Sequence, residues 1–335
     1  MAPIRLAIFG SGHFIRGTHL PVLKKLSDTY QVVAIYSHNP TTAGELAAML
    51  PGKVDIYTDM AAALARPDVD AVDIAVPIAL LPEIVIAALG AGKHVISEKP
   101  VAPDVAIGRR LLETARELTG KSGRIWSVGE NWRYEPAYHA AGVAIRRGDI
   151  GRPIQFNWAT SAGITRQSVG YKTTWRRDNS YPGGFLLDGG VHNIAAIRLI
   201  MGEVESVSAF VTQVNPDFPP SDTLSATFQF DSGAFGTLTM TFGTQAPWDS
   251  PAQVLGDGGA LRVSSKQLEI FRNGQSSSQA FNVDAVQAEF AEFARVINGE
   301  TLRNTPEQAL QDVAVIHAIL ESARTGCAVQ PERIV

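Results

Sequence analysis

The feature that most constrains this chain is the alternation of short, nearly all-apolar runs with helical segments through its first third. Ile4 to Phe9, Gln31 to Tyr36, Val54 to Thr58, Ala71 to Val76 and His94 to Ile96 read as strands. Thr42 to Leu50, Met60 to Ala65, Pro82 to Gly90 and Ala102 to Leu118 carry helical spacing between and after them. Strands that are apolar at nearly every position must be covered on both faces. Strand–helix alternation with short connections meets that demand in a parallel, doubly wound sheet. In such a sheet ligands bind beyond the carboxyl ends of the strands. The residues after each strand are therefore the ones to read for chemistry.

The first strand runs into Gly10-Ser11-Gly12-His13-Phe14-Ile15, which follows the dinucleotide fingerprint except that isoleucine replaces its third glycine. The first glycine makes the tight turn and the second lets backbone N–H groups approach a pyrophosphate. A side chain at Ile15 predicts a wider or shifted helix approach. The helix, running to about Leu26, directs its positive end at the phosphates. The second strand ends in Ser37-His38-Asn39, where an acid would bind a ribose 2′-hydroxyl. Small polar groups and a histidine leave room for a 2′-phosphate, so NADP(H) is expected in preference to NAD(H), although no arginine stands there to clamp it. Ala75 and Pro77, at the end of the fourth strand, are further expected cofactor contacts. The fifth strand ends in Ser97-Glu98-Lys99-Pro100. The proline pushes Lys99 toward extended geometry, which makes it a candidate for chemistry as well as a plain member of a Lys–Glu surface pair. The sixth, Ile125 to Val128, leads into Gly129-Glu130-Asn131-Trp132-Arg133-Tyr134.

Near residue 130 the texture changes, giving expected domains of 1–128 and 129–335. After the amphipathic helix Pro136 to Arg147, strands dominate. Leu224 to Phe230 and Ala234 to Phe242 alternate strictly across Asp231-Ser232-Gly233, a hairpin turn. That is an antiparallel sheet with one face packed and the other open to water or a partner. Ser276-Ser277-Ser278 reads as a turn-like patch, and helices return at Val286 to Ile297 and Pro306 to Ala323. One helix interrupts the strands, Phe185 to about Met201. It places Asp188 near its N-terminus and His192 four residues on, on the same face. Gly189 and Gly190 weaken that helix, which would make sense if a ligand approached the backbone. Either the pair is a site or it is an N-terminal acid and a hydrogen-bonded histidine. Upstream, Trp175 and Arg176 could bring an indole and a guanidinium to a phosphate-bearing cofactor, or form an ordinary surface stack.

Composition removes other classes. The 335 residues suit two domains, and a net charge of −4 offers no basic surface for nucleic acid. The longest apolar region, Ala71 to Gly92, contains Asp73, Pro77, Pro82 and Glu83 and reads as strand, turn and helix, not as a membrane span. The single cysteine, Cys327, excludes an intrachain disulfide and suits a reducing compartment. With too short an N-terminal apolar run for a signal peptide, a cytoplasmic location is expected.

Taken together, the G-x-G turn, Glu98-Lys99-Pro100 and Gly183-Gly184-x3-Asp188-x3-His192 resemble the glucose-fructose oxidoreductase / inositol 2-dehydrogenase / rhizopine catabolism (Gfo/Idh/MocA) family over nearly the whole chain. The resemblance implies a Rossmann domain followed by an α/β domain built on a large, mostly antiparallel, open-faced sheet that commonly mediates dimers or tetramers. It implies that Lys99, Asp188 and His192 line the substrate site beside the nicotinamide. Gly10, Ser11, Gly12, His13, Phe14, Ile15, Ser37, His38, Ala75, Pro77, Glu98, Lys99, Asn131, Trp175 and Arg176 are the expected cofactor set, with no metal. The implied activity is hydride transfer between NADP(H) and a carbonyl or secondary alcohol of a sugar, polyol or related metabolite. His192 or Lys99 serves as the proton donor. A C=N or conjugated substrate, or a non-catalytic cofactor-binding regulator, are the alternatives. Where the family often has Asn and His after the fourth strand, Ile78 and Leu81 stand here, and they predict a more apolar pocket wall near the ribose.

Overall fold

The computed structural model describes residues 2–177 and 181–335. The chain forms two compact units: Met1–Glu130 with Asp284–Leu310, and Asn131–Val283 with Gln311–Val335. A single cut at 128 does not reproduce this division, because residues 284–310 return to the first unit.

Among the described residues the first unit holds a six-stranded sheet. Its strands are β1 (Ile4–Phe9), β2 (Tyr30–Tyr36), β3 (Asp55–Tyr57), β4 (Ala71–Ile74), β5 (His94–Glu98) and β6 (Trp126–Gly129). All pairs are parallel, in the order β3-β2-β1-β4-β5-β6. The order reverses between β1 and β4, which sets the ligand crevice of a doubly wound sheet there. The connecting helices are α1 (Leu20–Lys25), α2 (Pro40–Ala47), α3 (Met60–Leu64), α4 (Leu81–Gly90) and α5 (Val105–Ser122). Side-chain caps start several of them: Asn39 accepts from the N–H groups of Thr41 and Thr42, Asp59 from Ala61, and Asp104 from Ile107. The segment before α1 is a π-helix, Ile15–His19. Its wider coil accommodates the fully buried Ile15 where a third glycine would have allowed close packing. The returning helix Ala285–Ile297 covers this face, placing Phe290 and Phe293 in one core with Leu6, Ile8, Ile35 and Ile96.

The second unit holds α6 (Pro136–Arg146), β7 (Pro153–Ser161), α7 (Val169–Lys172), α8 (Gly184–Asp188) and α9 (Gly190–Met201). Then come β8 (Val204–Thr212), β9 (Thr223–Phe230), β10 (Phe235–Thr241), β11 (Trp248–Asp249), β12 (Ala252–Gly256), β13 (Gly259–Ser264), β14 (Gln267–Arg272) and β15 (Gln275–Ala280). The sheet order is β15-β14-β13-β12-β7-β10-β9-β8, with β11 on β7. Every pair is antiparallel except β7 with β10. Leu224, Phe228, Phe230, Leu238 and Met240 are buried, while Ser225, Thr227, Gln229, Thr237 and Thr239 are exposed and Thr241 is half-buried. The helix expected to run unbroken from Phe185 is divided at Gly189. Ser276-Ser277-Ser278 is not a turn: it lies in β15, an exposed edge strand whose Ser277 pairs with Ile270. The turn is Asn273-Gly274, both at positive φ (52° and 72°), as a two-residue hairpin loop requires. Inside the unit, Asp312 receives Arg133 Nη2 at 2.6 Å and Arg198 Nη1 at 2.6 Å. Arg133 is thus a core ion-pair partner.

At the opposite end of the first sheet from the crevice, His94 opens β5, buried, and accepts from Arg124 Nη1 at 2.8 Å. A guanidinium only donates, so Nε2 carries a lone pair and the ring is neutral. Burial, reinforced by the Arg124 charge, lowers its pKa to about 4. The unfolded chain therefore binds this proton at higher pH than the folded chain does, and stability must fall as pH drops from about 6.5 toward 4. We expect Tm to decline over that window in wild type and to decline less in His94→Asn. Equal acid limbs in thermal melts of the two proteins would contradict this.

Candidate functional site

The turn after β1 is shaped by crowding on one side and openness on the other. Gly10 has φ +111°, and a Cβ there would sit 2.3 Å from the Ala75 carbonyl oxygen. Only glycine lets the β1 and β4 ends pass this closely. Around Gly12, by contrast, a Cβ would meet nothing within 4 Å. The exposed Gly12 and His13 leave the backbone open to a pyrophosphate, and so this turn fits a dinucleotide. Phe14 is spent differently: it sets its edge on His19, centroids 5.1 Å apart.

Beside the turn, Ser11 Oγ lies 2.8 Å from Ser37 Oγ and 2.6 Å from Thr42 Oγ1. Asn39 N–H donates to Ser37 Oγ. Arg16 closes the group, with Nε donating to the Ser11 carbonyl at 3.2 Å, Nη2 to the Thr42 carbonyl at 2.8 Å and Nη1 to Glu45 at 2.7 Å. An arginine thus stands beside the end of β2, brought there from the π-helix. The sequence signal for it was a basic residue one turn past Gly12. His38 is exposed, its Nε2 3.2 Å from the Tyr36 hydroxyl.

At the centre of the sheet, Ala75 and Pro77 are half-buried after β4. Ile78 and Leu81 do not form an open pocket wall: they are 2% and 1% exposed, part of the core. Lys99 follows β5 directly, half-buried, joined to Pro100 by a cis peptide. Glu98 turns its carboxylate inward, Oε1 3.0 Å from His19 Nε2. His19 Nδ1 in turn lies 2.9 Å from Asp73 Oδ2. Burial opposes charge on this ring, but the Asp73 charge and the ring's hydrogen bonds to both carboxylates outweigh it, and its pKa stands well above the usual value. Glu289, from the returning helix, has its pKa pushed well above the usual carboxyl value by burial first and by the Glu98 charge second. No local pattern in the sequence distinguishes His19, Asp73 or Glu289 from ordinary core positions.

In the second unit, Asp188 is the last residue of α8 and His192 sits in the first turn of α9. Asp188 is therefore at a helix C-terminal end, and its charge is met instead by Arg176 Nε at 2.5 Å. That guanidinium stacks over Trp175, 4.2 Å from the ring centroid, and also donates to Thr173. His192 lies face to face with Trp132, centroids 5.4 Å apart and planes at 21°. Trp132 in turn packs on Tyr138 and Trp158. Asn131, half-buried, opens the 3-10 turn Asn131–Tyr134. The two glycines serve packing, not ligand approach: a Cβ on Gly189 would be 2.5 Å from the Phe242 ring, and one on Gly190 2.9 Å from Met240 Cε.

Among the described residues no group of His, Cys, Asp and Glu side chains is arranged to hold a metal ion. No helix there is long and apolar enough to cross a membrane. Comparison with known proteins gives consistent findings. Residues 4–124 match the description "Oxidoreductase family, NAD-binding Rossmann fold", and residues 138–262 match "GFO/IDH/MocA C-terminal domain". Dehydrogenase FPY6 of Fusarium mangiferae is 31% identical, covering 96% of each chain. An oxidoreductase of Thermotoga maritima (TM0312) superposes with a TM-score of 0.91 at 33% identity, over 99% of this chain and 100% of that one. Levoglucosan dehydrogenase in complex with NADH shares the fold, with a TM-score of 0.84 at 21% identity over 99% and 100%. The chain belongs to the Gfo/Idh/MocA family of nicotinamide-dependent oxidoreductases.

Proposed function

We propose that this enzyme transfers a hydride reversibly between NADP(H) and a carbonyl or secondary alcohol of a sugar, polyol or related small metabolite. The observation that carries the reading is Lys99, delivered half-buried at the carboxyl end of β5 beside the switch point of a nicotinamide-binding sheet. The levoglucosan dehydrogenase fold likeness favours a polyhydroxylated substrate. When bound, the cofactor supplies or accepts the hydride at its nicotinamide ring. Lys99 donates a hydrogen bond to the reacting oxygen and stabilises the negative charge growing there during reduction. His192, stacked on Trp132, is the leading general acid/base. Asp188, already neutralised by Arg176, positions substrate hydroxyls. Asn131 and Trp175 complete the cofactor's side of the second unit.

Its test is turnover of NADP+ against levoglucosan and a panel of polyols and hydroxy-sugars. Lys99→Ala and His192→Ala should each lower kcat/KM by ~10²-fold or more. NADPH affinity should stay within about threefold, since neither residue is assigned to the phosphates. A folded single variant with near-full turnover would remove that residue from the mechanism.

The preference for NADP(H) rests on the Ser11, Ser37 and Thr42 hydroxyls and on Arg16, a charged donor set with no acid at the end of β2. A 2′-phosphate would draw Arg16 from the half-exposed Glu45, and charge-assisted bonds of this kind are worth roughly 1.5–3 kcal/mol. In fluorescence titrations NADPH should bind at least about tenfold tighter than NADH. Arg16→Ala should weaken NADPH by ~10-fold or more and leave NADH nearly unchanged. Tenfold tighter NADH in wild type, or equal weakening of both nucleotides in the variant, would refute the preference.

The exposed face of β8, β9 and β10 carries Ser225, Thr227, Gln229, Thr237 and Thr239 with Phe210 (85% exposed) and Phe235 (51%). Charges normally keep open sheets apart, and those seven positions carry none. A second copy of the chain is the reading for this face. Sedimentation at micromolar protein should show a dimer or tetramer, and Phe210→Glu should shift it toward monomer; a monomeric wild type would contradict it.

A further inference from the structure

The buried charge cluster under the end of β5 has no part in the chemistry above, yet it touches the residue that precedes Lys99. Register shows why this matters. β4 pairs with β5 only through Ile74 and Ser97, so Glu98 has left its β4 neighbour, and its strand partner is Gly129 of β6. On the β4 side the last backbone pair, Ile74 with Ser97, stands two residues before the lysine. Beyond that pair His19 makes the tie. The ring is 2% exposed, bonded through Nδ1 to Asp73 within β4 and through Nε2 to Glu98, the last residue of β5. The ring makes T-shaped contacts with Phe14 and Phe290, at 5.1 and 5.0 Å between centroids.

Around it stand the other ionisable groups of the packed elements. Glu289 of the returning helix and Glu130 after β6 are both 1% exposed. Tyr30 of β2 donates its hydroxyl to the Phe290 carbonyl at 2.6 Å. Gly129 makes the space for this arrangement. A Cβ there would lie 3.1 Å from Glu98 Oε1 and 3.3 Å from Glu289 Oε1, between the two carboxyl groups.

We propose that His19 is a positioning residue for Lys99: bonded at both ring nitrogens, it ties the end of β4 to the end of β5 and fixes the direction in which the chain delivers the lysine. The inference rests on the reading of Lys99 as the group that meets the reacting oxygen. A purely structural histidine would satisfy the same carboxylates without any link to that lysine, and the two roles separate in a double-mutant cycle.

His19→Gln retains one donor of similar reach and loses the second. With NADP+ and the alcohol of the panel turned over fastest, His19→Gln should lower kcat by ~10- to 10²-fold, as misaimed groups do. The Kd for NADPH, read by nucleotide fluorescence, should move less than about threefold. In the Lys99→Ala background the same His19→Gln change should alter kcat by less than about twofold, because the residue it aims is gone. Asp73→Asn keeps the size of its group, weakens the same tie, and should follow the same pattern if His19→Gln does not fold. Equal kcat losses for His19→Gln with and without Lys99 would overturn the positioning role and leave the Lys99 reading standing. Full turnover by Lys99→Ala alone would overturn both.

Discussion

An imidazolium held between two carboxylates is the interaction on which the first unit's working end depends. Ionised groups removed from water are tolerated when each is paired and hydrogen-bonded. His19 does this for Asp73 and Glu98 together, and burial pushes the nearby Glu289 carboxyl well up. The helix that brings His19 there begins as a π-coil because Ile15 fills the position of a packing glycine. The departure from the fingerprint and the charge cluster therefore belong to one arrangement. The same coil carries Arg16 to the hydroxyl group formed by Ser11, Ser37 and Thr42. One segment so serves both the Ser11, Ser37 and Thr42 hydroxyls and the strand end that bears Lys99.

The second unit solves a related problem with stacking. Asp188 is paired to a guanidinium that lies on Trp175, and His192 lies on Trp132, which rests on further aromatic rings. Planar groups clamped this way have few rotamers left, so they arrive oriented. The glycines between them allow Met240 and Phe242 of the sheet to press against the helix break. The inner face of the sheet thus shapes the helix break, and its outer face is exposed.

How much of this was legible in the sequence follows from what each feature depends on. Strand and helix periodicity is local, and every expected strand of the parallel sheet formed within a few residues of its predicted span. The antiparallel hairpin across Asp231-Ser232-Gly233 was equally plain, because alternation of apolar and polar residues states which face is inside. The motifs that carry Lys99, Asp188 and His192 were visible as spacings, but their partners were not. Arg176 is twelve residues from Asp188, and Asp73 and Glu98 are 54 and 79 residues from His19. Only the fold brings such groups together. The differences are local: the helix breaks at Gly189, and the serine run is a strand because Asn273-Gly274 beside it carries the stronger turn chemistry.

The central claim is that His19, bonded to a carboxylate at each ring nitrogen, is a charged tie between β4 and β5, and nitrogen NMR tests it most directly. In protein with 15N-labelled histidine, the His19 signals are those absent from His19→Gln. The account predicts that both ring nitrogens are protonated and that their shifts stay constant between about pH 5 and 8. A single-proton tautomer, or a titration near the ordinary histidine value, would contradict it.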